Sequence, residues 1–410
     1  EGALYSTTSR GPNVNMNLYS IGSGTAEDPY GINSASELLK IGQFASANFK
    51  LISAINFAGM DVAEIIESQG ALVCSTFSGT LDGQGYAIYG LATVTLNDVE
   101  QFALFNQLNN ATIKNIVFGQ GATDTIISNS FASINTNVVN LSLIANNAIG
   151  ATIQDISVQN LKFVLQGDGR LSGNIYIGGL IGIAEDTTIS GSIIDVEVQF
   201  DVDFSSRNSY IGGVVANATN TTINSTSSRD TSVEFSISQA HTNRTFSHIG
   251  GVVGYYVGDN DRSYGISKAS SQVSYNNIYA SNIGGIVGFI SRATITDSTS
   301  NGTIAHSGIN IDTNIGAIAG TSQSAIITGN TINLTFELAI MNASSSINIG
   351  AAVGRLTTTN SIDCQLTNCV VAYEFINETV LSSTGIDKIG LYGYSSSNNV
   401  IVSGNTHLES

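Results

Sequence analysis

The chain has 410 residues, only 11% of them charged, and a formal net charge of −17. This charge argues against nucleic acid as a partner, because phosphates bind clustered Lys and Arg and the 14 basic residues here are scattered singly. It also disfavours anionic membranes, and no run of about 18 apolar residues predicts membrane insertion. A hydrophobic content of 42% is too high for a disordered chain. Abundant β-branched, small polar and Gly residues favour an all-β fold.

The chain begins with an extension, residues 1–23, that has strand-like stretches and no place in the repeat that follows. Residues 24–100 read as a capping region and a first coil. They contain one helix signal, in which Ser34 or Ser36 can act as the N-cap and Glu37 lies in the first turn. The inward-facing residues of this helix are Leu38, Leu39 and Ile41. We expect the helix to cover one end of a repeat stack, because an open end exposes apolar side chains and unpaired strand edges.

Residues 101–410 repeat a Gly-rich phrase, as in "YIGGLIG", "HIGGVVG" and "NIGGIVG". The first Gly of the phrase lies at 178, 212, 250, 284, 316, 350 and 390, so that successive copies are 34, 38, 34, 32, 34 and 40 residues apart. Two weaker copies precede these, at 102–118 and 141–165. Each unit also contains a short phrase such as "TTISGS" and an alternating segment. Three strand signals per unit, with Asn, Gly, Ser and Asp turns, predict an all-β, right-handed parallel β-helix of about nine coils.

These phrases resemble the repeat of the GLUG-motif family, which is named for Gly-Leu-(Ile/Val)-Gly. The match is carried by "GLIG" at 179–182, "GVVG" at 251–254 and "GIVG" at 285–288. The resemblance implies a β-solenoid that serves as a stalk or adhesive module of a secreted protein. Some members are IgA-cleaving metallopeptidases, which need H-E-x-x-H. That motif begins at none of the four His residues, so the peptidase activity is not carried over.

The densest acidic stretch is "DVEVQFDVDF", in which acids alternate with apolar residues and therefore share the outer face of a strand. Neighbouring acids are about 7 Å apart along such a strand. The four acids are Asp195, Glu197, Asp201 and Asp203. One interpretation is a row that binds Ca²⁺ or a basic partner, and the other is a solvated face whose like charges discourage edge pairing. No other cofactor and no catalytic residue is predicted.

Two further motifs are interpreted as turns. In "VGDNDRSYG" an insertion places Asp259 and Asp261 beside Arg262, but the Gly and Glu spacing of a Ca²⁺ loop is missing. In "TLDGQGYAI" the side chain of Asp82 is expected to cap a Gly-rich turn. His248 replaces the Tyr or Asn that precedes Ile-Gly-Gly in other copies, and we expect it in a surface turn.

Three Cys residues occur, and an odd number leaves at least one thiol without an intramolecular partner. Cys364 and Cys369 could close a small disulfide loop or be buried thiols, and the state of Cys74 is open. Ten Asn-X-Ser/Thr sequons are candidate N-glycosylation sites in a secreted chain. They are Asn110, Asn140, Asn217, Asn220, Asn224, Asn243, Asn301, Asn333, Asn342 and Asn377.

The leading hypothesis is an extracellular or cell-surface, non-enzymatic structural protein that assembles head to tail into a filament. It depends on the C-terminal coil, which shows no capping helix, and on the extension 1–23 as a strand donated to a neighbouring copy. One alternative is a monomeric adhesin that binds a glycan or a host protein. The other is a β-helix polysaccharide lyase or hydrolase that depends on Asp201 or Asp203.

Overall fold

A computed structural model describes residues 19–409 except 92, 120–124, 136, 206–207, 227–228, 241–245, 307–311, 339–346, 360–361, 377–385 and 397–398. The strands stack in parallel, coil upon coil, into three long sheets, and the protein is an all-β parallel solenoid. Nine coils build the third sheet: seven contribute two strands each and two contribute one long strand each, and the 17th strand, Cys74–Phe77, comes from the N-terminal region. The predicted architecture and coil number are confirmed.

The first sheet has 12 short strands, one from each layer of the stack. They are β1 (Tyr30–Ile32), β2 (Asn48–Leu51), β5 (Thr80–Asp82), β10 (Thr112–Lys114), β16 (Thr152–Gln154), β20 (Thr188–Ser190), β24 (Thr222–Asn224), β28 (Gly265–Ser267), β32 (Thr294–Thr296), β36 (Ile326–Thr328), β39 (Cys364–Thr367) and β42 (Val400–Ser403).

The second sheet has 14 strands and contains the longest ones. Its main path is β3 (Ile55–Asn56), β6 (Ala87–Tyr89), β11 (Val117–Phe118), β17 (Ser157–Leu171), β21 (Ile193–Phe204), β25 (Thr231–Gln239), β29 (Ala269–Ile278), β33 (Thr299–His306), β37 (Thr331–Leu338), β40 (Val370–Ile376) and β43 (Thr406–Glu409). Beside that path lie β7 (Thr93–Asn97), β12 (Thr125–Ser130) and β13 (Ile134–Asn135).

The third sheet has 17 strands. They are β4 (Cys74–Phe77), β8 (Gln101–Phe102), β9 (Phe105–Asn109), β14 (Val139–Ser142), β15 (Ala145–Ile149), β18 (Ile175–Gly178), β19 (Ile181–Glu185), β22 (Ser209–Gly212), β23 (Val215–Thr219), β26 (Phe246–Gly250), β27 (Val253–Val257), β30 (Ala280–Gly284), β31 (Val287–Ser291), β34 (Thr313–Gly316), β35 (Ala319–Gln323), β38 (Ile347–Thr357) and β41 (Ile386–Ser395).

The interior is a set of apolar ladders, because each strand pairs in register with its counterpart one coil away. In the nine first-sheet strands from β5 to β39, one apolar residue points inward, is 0% exposed and stacks on the same position of the next coil. This ladder consists of Leu81, Ile113, Ile153, Ile189, Ile223, Ile266, Ile295, Ile327 and Leu366. Each such side chain stabilises the fold by about 1.5–3 kcal/mol through burial.

The Gly-Gly pair of the repeat lies where the chain bends between the two strands of a third-sheet coil. An added Cβ on Gly284 would overlap the carbonyl oxygen of Val287, and one on Gly285 would overlap that of Ala317 in the next coil. Because only Gly lacks a Cβ, the bend and the close stacking of coils both require it. The sequence phrase therefore marks a corner of the solenoid.

The other two corners use residues with positive φ, where Asn, Asp and Gly are favoured. The corner after the third sheet contains Asn110, Gly150, Asp186, Asn220, Arg292 and Ser324. The corner after the first sheet contains Asn115, Asp155, Gly191, Lys268, Asp297, Gly329, Asn368 and Gly404. The Asn-, Asp- and Gly-rich phrases of the repeat are thus explained by backbone geometry.

A cap covers the N-terminal end, and it holds the helices found among the described residues: α1 (Ala35–Leu38), a 3₁₀ helix (Ile41–Phe44) and α2 (Val62–Gln69). Ser34 is the N-cap of α1, and its hydroxyl accepts a hydrogen bond from the Glu37 amide at 3.3 Å. The predicted capping helix is confirmed. Sequence analysis missed α2, which Asp61 caps and Gly70 ends at φ +75.

Candidate functional site

The four predicted acids lie on β21, where the neighbouring coil supplies basic partners. Lys162 of β17 is 3.2 Å from the Glu197 carboxylate, and Arg170 is 3.7 Å from that of Asp203. The Asn160 amide donates to Asp195 at 3.1 Å. Asp201 is exposed and lies in register with Gln166.

This pairing favours the solvated-face interpretation of the acidic row. Within the described residues, no group of three or more His, Cys, Asp or Glu side chains is placed to hold a metal ion. The binding of Ca²⁺ or a basic partner by the four acids stays a prediction.

The loop formed by residues 257–265, which the sequence predicts as a turn, contacts a residue several coils farther along the rod. Asp259 closes the turn by accepting a hydrogen bond from the Ser263 amide at 2.9 Å. Arg262 points towards the C-terminal end, where it donates to the Asp363 backbone oxygen at 3.0 Å and to its carboxylate at 3.1 Å. The loop is therefore a strap that ties coils together.

The outward side chains of the two strands at each third-sheet bend contact each other and form a continuous stripe. In its N-terminal half the stripe is aromatic: Tyr176 stacks on Tyr210 at 5.1 Å, and Tyr210 stacks on His248 at 5.5 Å. Tyr255 stacks on Phe289 at 4.9 Å. The rings cover one another's faces, so this half is suited to packing between coils.

In its C-terminal half the stripe is a hydrogen-bonded ladder of amides. Asn348 donates to Asn314 at 2.7 Å, and Asn314 donates to Asn282 at 3.0 Å. The Asn282 amide nitrogen lies 3.1 Å from His248 Nδ1. Because an amide NH₂ only donates, Nδ1 must accept and the proton of the neutral imidazole lies on Nε2.

His248 therefore joins the two halves of the stripe. Burial lowers its pKa to about 4, which agrees with a neutral ring. It lies on strand β26, so its predicted place in a surface turn is wrong. The reason is that the bend begins only at the Gly-Gly pair that follows it.

The three Cys residues are free and buried, and the predicted Cys364–Cys369 disulfide is contradicted by the fold. Cys364 begins β39 and Cys369 follows its end, so the strand holds them apart. Its three residue steps alone span about 10 Å, beyond the Cα separation of roughly 7 Å that a disulfide tolerates. The Cys364 thiol instead contacts the Ser322 hydroxyl at 3.2 Å.

The sequons differ in accessibility. Asn110 and Asn333 are exposed, and Asn217, Asn220, Asn224 and Asn301 are half-buried. Asn140 is 3% exposed and donates to the Asn146 backbone oxygen, so a glycan there is incompatible with this packing. The remaining sequons lie outside the described residues: Asn243, Asn342 and Asn377. Glycosylation at the accessible positions stays a prediction.

The two ends of the rod differ. At the N-terminal end Tyr19 is 2% exposed, stacks on Tyr30 at 4.9 Å and donates to the Glu37 backbone oxygen at 3.1 Å. At the C-terminal end β41, β42 and β43 each pair on one side, with β38, β39 and β40, and no described strand follows them. Apolar side chains are exposed at this edge: Tyr392 36%, Tyr394 40%, Ile401 46% and Leu408 50%.

This architecture defines a Gly-bent parallel β-solenoid. Residues 279–305 match the sequence profile of the GLUG motif, and this segment covers about one coil of the solenoid, from β30 to β33. No curated protein matches the chain. Among solved structures it is similar to one described as a "putative immunoglobulin A1 protease from Bacteroides ovatus", with 13% identity over 83% of this chain and 86% of the other and a TM-score of 0.41. Among the described residues, no helix has the length and apolar character needed to cross a membrane.

Proposed function

We propose that this chain is a non-enzymatic, extracellular structural solenoid that assembles head to tail into a filament. The observation that carries the proposal is the set of apolar side chains exposed on the last described strands, β41, β42 and β43, which pair with β38, β39 and β40. Unpaired strand edges with exposed apolar side chains are templates for pairing with another chain. The occupant is a second copy of this chain.

The position of the extension supports that occupant. Tyr19 is anchored in the N-terminal cap, at the end of the rod opposite β41, β42 and β43, and residues 1–18 lie outside the described residues. Eleven intervals of about 4.8 Å between the 12 first-sheet strands put these ends about 50 Å apart. A contact between opposite ends is heterologous, and it builds a filament when the rotation does not close a ring.

Substitutions at the open edge test this proposal. Ile401→Lys places a charge on β42 at a side chain that is 46% exposed, and Ile193→Lys is the matched control on β21 in the middle of the rod, where the side chain is 41% exposed. We expect sedimentation to show assemblies of the wild type and of Ile193→Lys, and monomers of Ile401→Lys and of a chain lacking residues 1–18. Monomeric wild-type rods that bind a glycan would instead identify the adhesin alternative.

A further inference from the structure

Two tyrosines of neighbouring coils lie face to face on the outside of the third sheet. Tyr176 of β18 and Tyr210 of β22 pair in register, and their ring centroids are 5.1 Å apart with an angle of 25° between the ring planes. Both side chains are half-buried, so that part of each ring is open to solvent. Because the two strands are parallel and in register, the side chains leave the sheet in the same direction and bring their phenol groups together.

Two other contacts between tyrosine rings each lack one of these properties. Tyr19 stacks on Tyr30 at 4.9 Å, but Tyr19 is 2% exposed and its hydroxyl donates to a backbone oxygen. Tyr210 also contacts Tyr255 at 5.3 Å, but these rings are tilted by 57° and their strands, β22 and β27, do not pair with each other. Tyr176 and Tyr210 therefore combine stacking, register and access to solvent.

This arrangement matters for the oxidation of phenols. A phenol that loses one electron and its hydroxyl proton becomes a phenoxyl radical, whose unpaired electron is shared between the oxygen and the ortho carbons. Two such radicals join through a carbon–carbon bond between ortho carbons, and the hydrogen on each of these carbons then moves to the oxygen, which restores both phenols. The pair thus loses two electrons and two protons. Stacking favours the coupling, because the two reacting rings are already held together.

We propose that Tyr176 and Tyr210 form a dityrosine cross-link between neighbouring coils when the protein meets a one-electron oxidant. A Cε atom of one ring bonds to a Cε atom of the other, the oxidant takes both electrons, and water takes both protons. Rotation of the two side chains closes the remaining gap between the rings. His248 stacks on Tyr210 at 5.5 Å, but a neutral imidazole is harder to oxidise than a phenol, so the radicals stay on the tyrosines.

The cross-link joins residues that are 34 positions apart in the sequence. Like a disulfide, it closes a loop and restricts the unfolded chain, which stabilises the two coils that it ties together. Both tyrosines belong to the same chain, so the modification does not depend on head-to-tail assembly.

Photo-oxidation of the full chain with tris-bipyridyl ruthenium and persulfate tests the proposal. Light generates the one-electron oxidant, and each persulfate ion accepts two electrons and becomes two sulfate ions. We expect dityrosine fluorescence in the monomer band of a denaturing gel, and peptide mapping by mass spectrometry should find Tyr176 joined to Tyr210 with the loss of two hydrogen atoms. The same treatment in denaturant should lower the yield of this pair at least about tenfold, because unfolding separates the rings.

Conservative variants identify the reacting pair. Tyr176→Phe and Tyr210→Phe keep a stacked ring but remove the phenol, so each should lose the product. Tyr86→Phe is the control, because that tyrosine is 41% exposed and lies elsewhere on the rod, and it should keep the product. Tyr255→Phe should keep it as well. Circular dichroism establishes that each variant is folded.

Three results would overturn the proposal. The first is the absence of the Tyr176–Tyr210 link from wild-type protein under conditions that couple free tyrosine. The second is an equal yield of this link in native and denatured protein, and the third is a link between Tyr210 and Tyr255 as the main product.

Discussion

Arg262 and Asp363 form an ion pair of 3.1 Å although 101 residues separate them in the sequence. They belong to coils whose bends begin at Gly250 and Gly350, three coils apart and therefore about 14 Å along the rod. A solenoid coil otherwise contacts only its immediate neighbours. The pair thus couples coils that the repeat itself leaves independent.

Arg262→Gln should therefore weaken the coils beneath the strap more than the rest of the rod. The side chains of the pair are 16% and 30% exposed, so we expect a loss of about 1 kcal/mol in the free energy of unfolding. Hydrogen exchange should quicken in β30–β38. Equal exchange in Arg262→Gln and wild type would contradict the coupling. Arg170→Gln is the control, because it removes an ion pair of 3.7 Å between neighbouring coils away from the strap.

Asp363 adds a pH dependence to the strap. A hydrogen bond from Gln365, followed by the charge of Arg262, lowers its pKa below the usual 3.8. A lowered folded-state pKa means that the stabilisation is present above the unfolded value and is lost as the pH falls through the folded value. The difference in melting temperature between wild type and Asp363→Asn should therefore shrink below about pH 4, and a constant difference would contradict it.

His306 should make the stability of the fold depend on pH as well, in a range above the one in which Asp363 acts. It is 1% exposed between Ile278 and Leu338, neither of its ring nitrogens has a hydrogen-bond partner among the described residues, and burial lowers its pKa to about 4. A base with a lowered pKa stabilises the fold above its unfolded value, so stability should fall as the pH drops from about 6.5 towards 4.

His306→Leu should flatten this pH dependence and raise the free energy of unfolding by about 1 kcal/mol, because it removes an unsatisfied polar group from the core. The dependence that remains is expected from His248, whose pKa is also lowered to about 4. Thermal unfolding between pH 4 and 7 measures both effects. His407→Gln, at an exposed position, is the control, and a pH profile of His306→Leu identical to wild type would refute the role.

Gly284→Ala should destabilise the solenoid by about 3 kcal/mol, because the new methyl group collides with the Val287 backbone. Gly59→Asn is the control, since no atom lies within 4 Å of a Cβ there and Asn tolerates the φ of +84. Denaturant unfolding of both variants measures the difference. Similar losses in the two would mean that the bend does not require Gly.

The three thiols should be unreactive in the native protein. Burial raises the pKa of Cys74 to about 12 and is the largest cause of the raised pKa of Cys364 and Cys369. Because the thiolate is the reactive species, Ellman's reagent should label them slowly until denaturant exposes them. Fewer than three thiols per chain in denaturant without reductant would indicate a disulfide after all.

The local pattern of the repeat predicts the architecture, because the features that determine it are short-range. An apolar residue recurs at the position of Ile295 in successive coils, and a Gly recurs at the position of Gly284. The period of these residues alone therefore predicts the apolar ladders and the bend. The N-cap Ser34 was recognisable for the same reason. Asp61 and Gly70, which begin and end α2, were equally recognisable as helix caps, but sequence analysis overlooked them.

Contacts between coils could not be predicted in the same way. Which residue Arg262 contacts depends on how many coils its loop crosses. The order of donors and acceptors along the amide ladder depends on His248, which is the final acceptor.

Electron microscopy of the negatively stained wild-type protein tests the central claim most directly. Head-to-tail assembly predicts unbranched filaments one solenoid wide, with an axial repeat of at least about 50 Å set by the stack of 12 strands. Ile193→Lys should form the same filaments and Ile401→Lys should not. Single rods of wild-type protein across the concentration range, indistinguishable from those of Ile401→Lys, would contradict the proposed function.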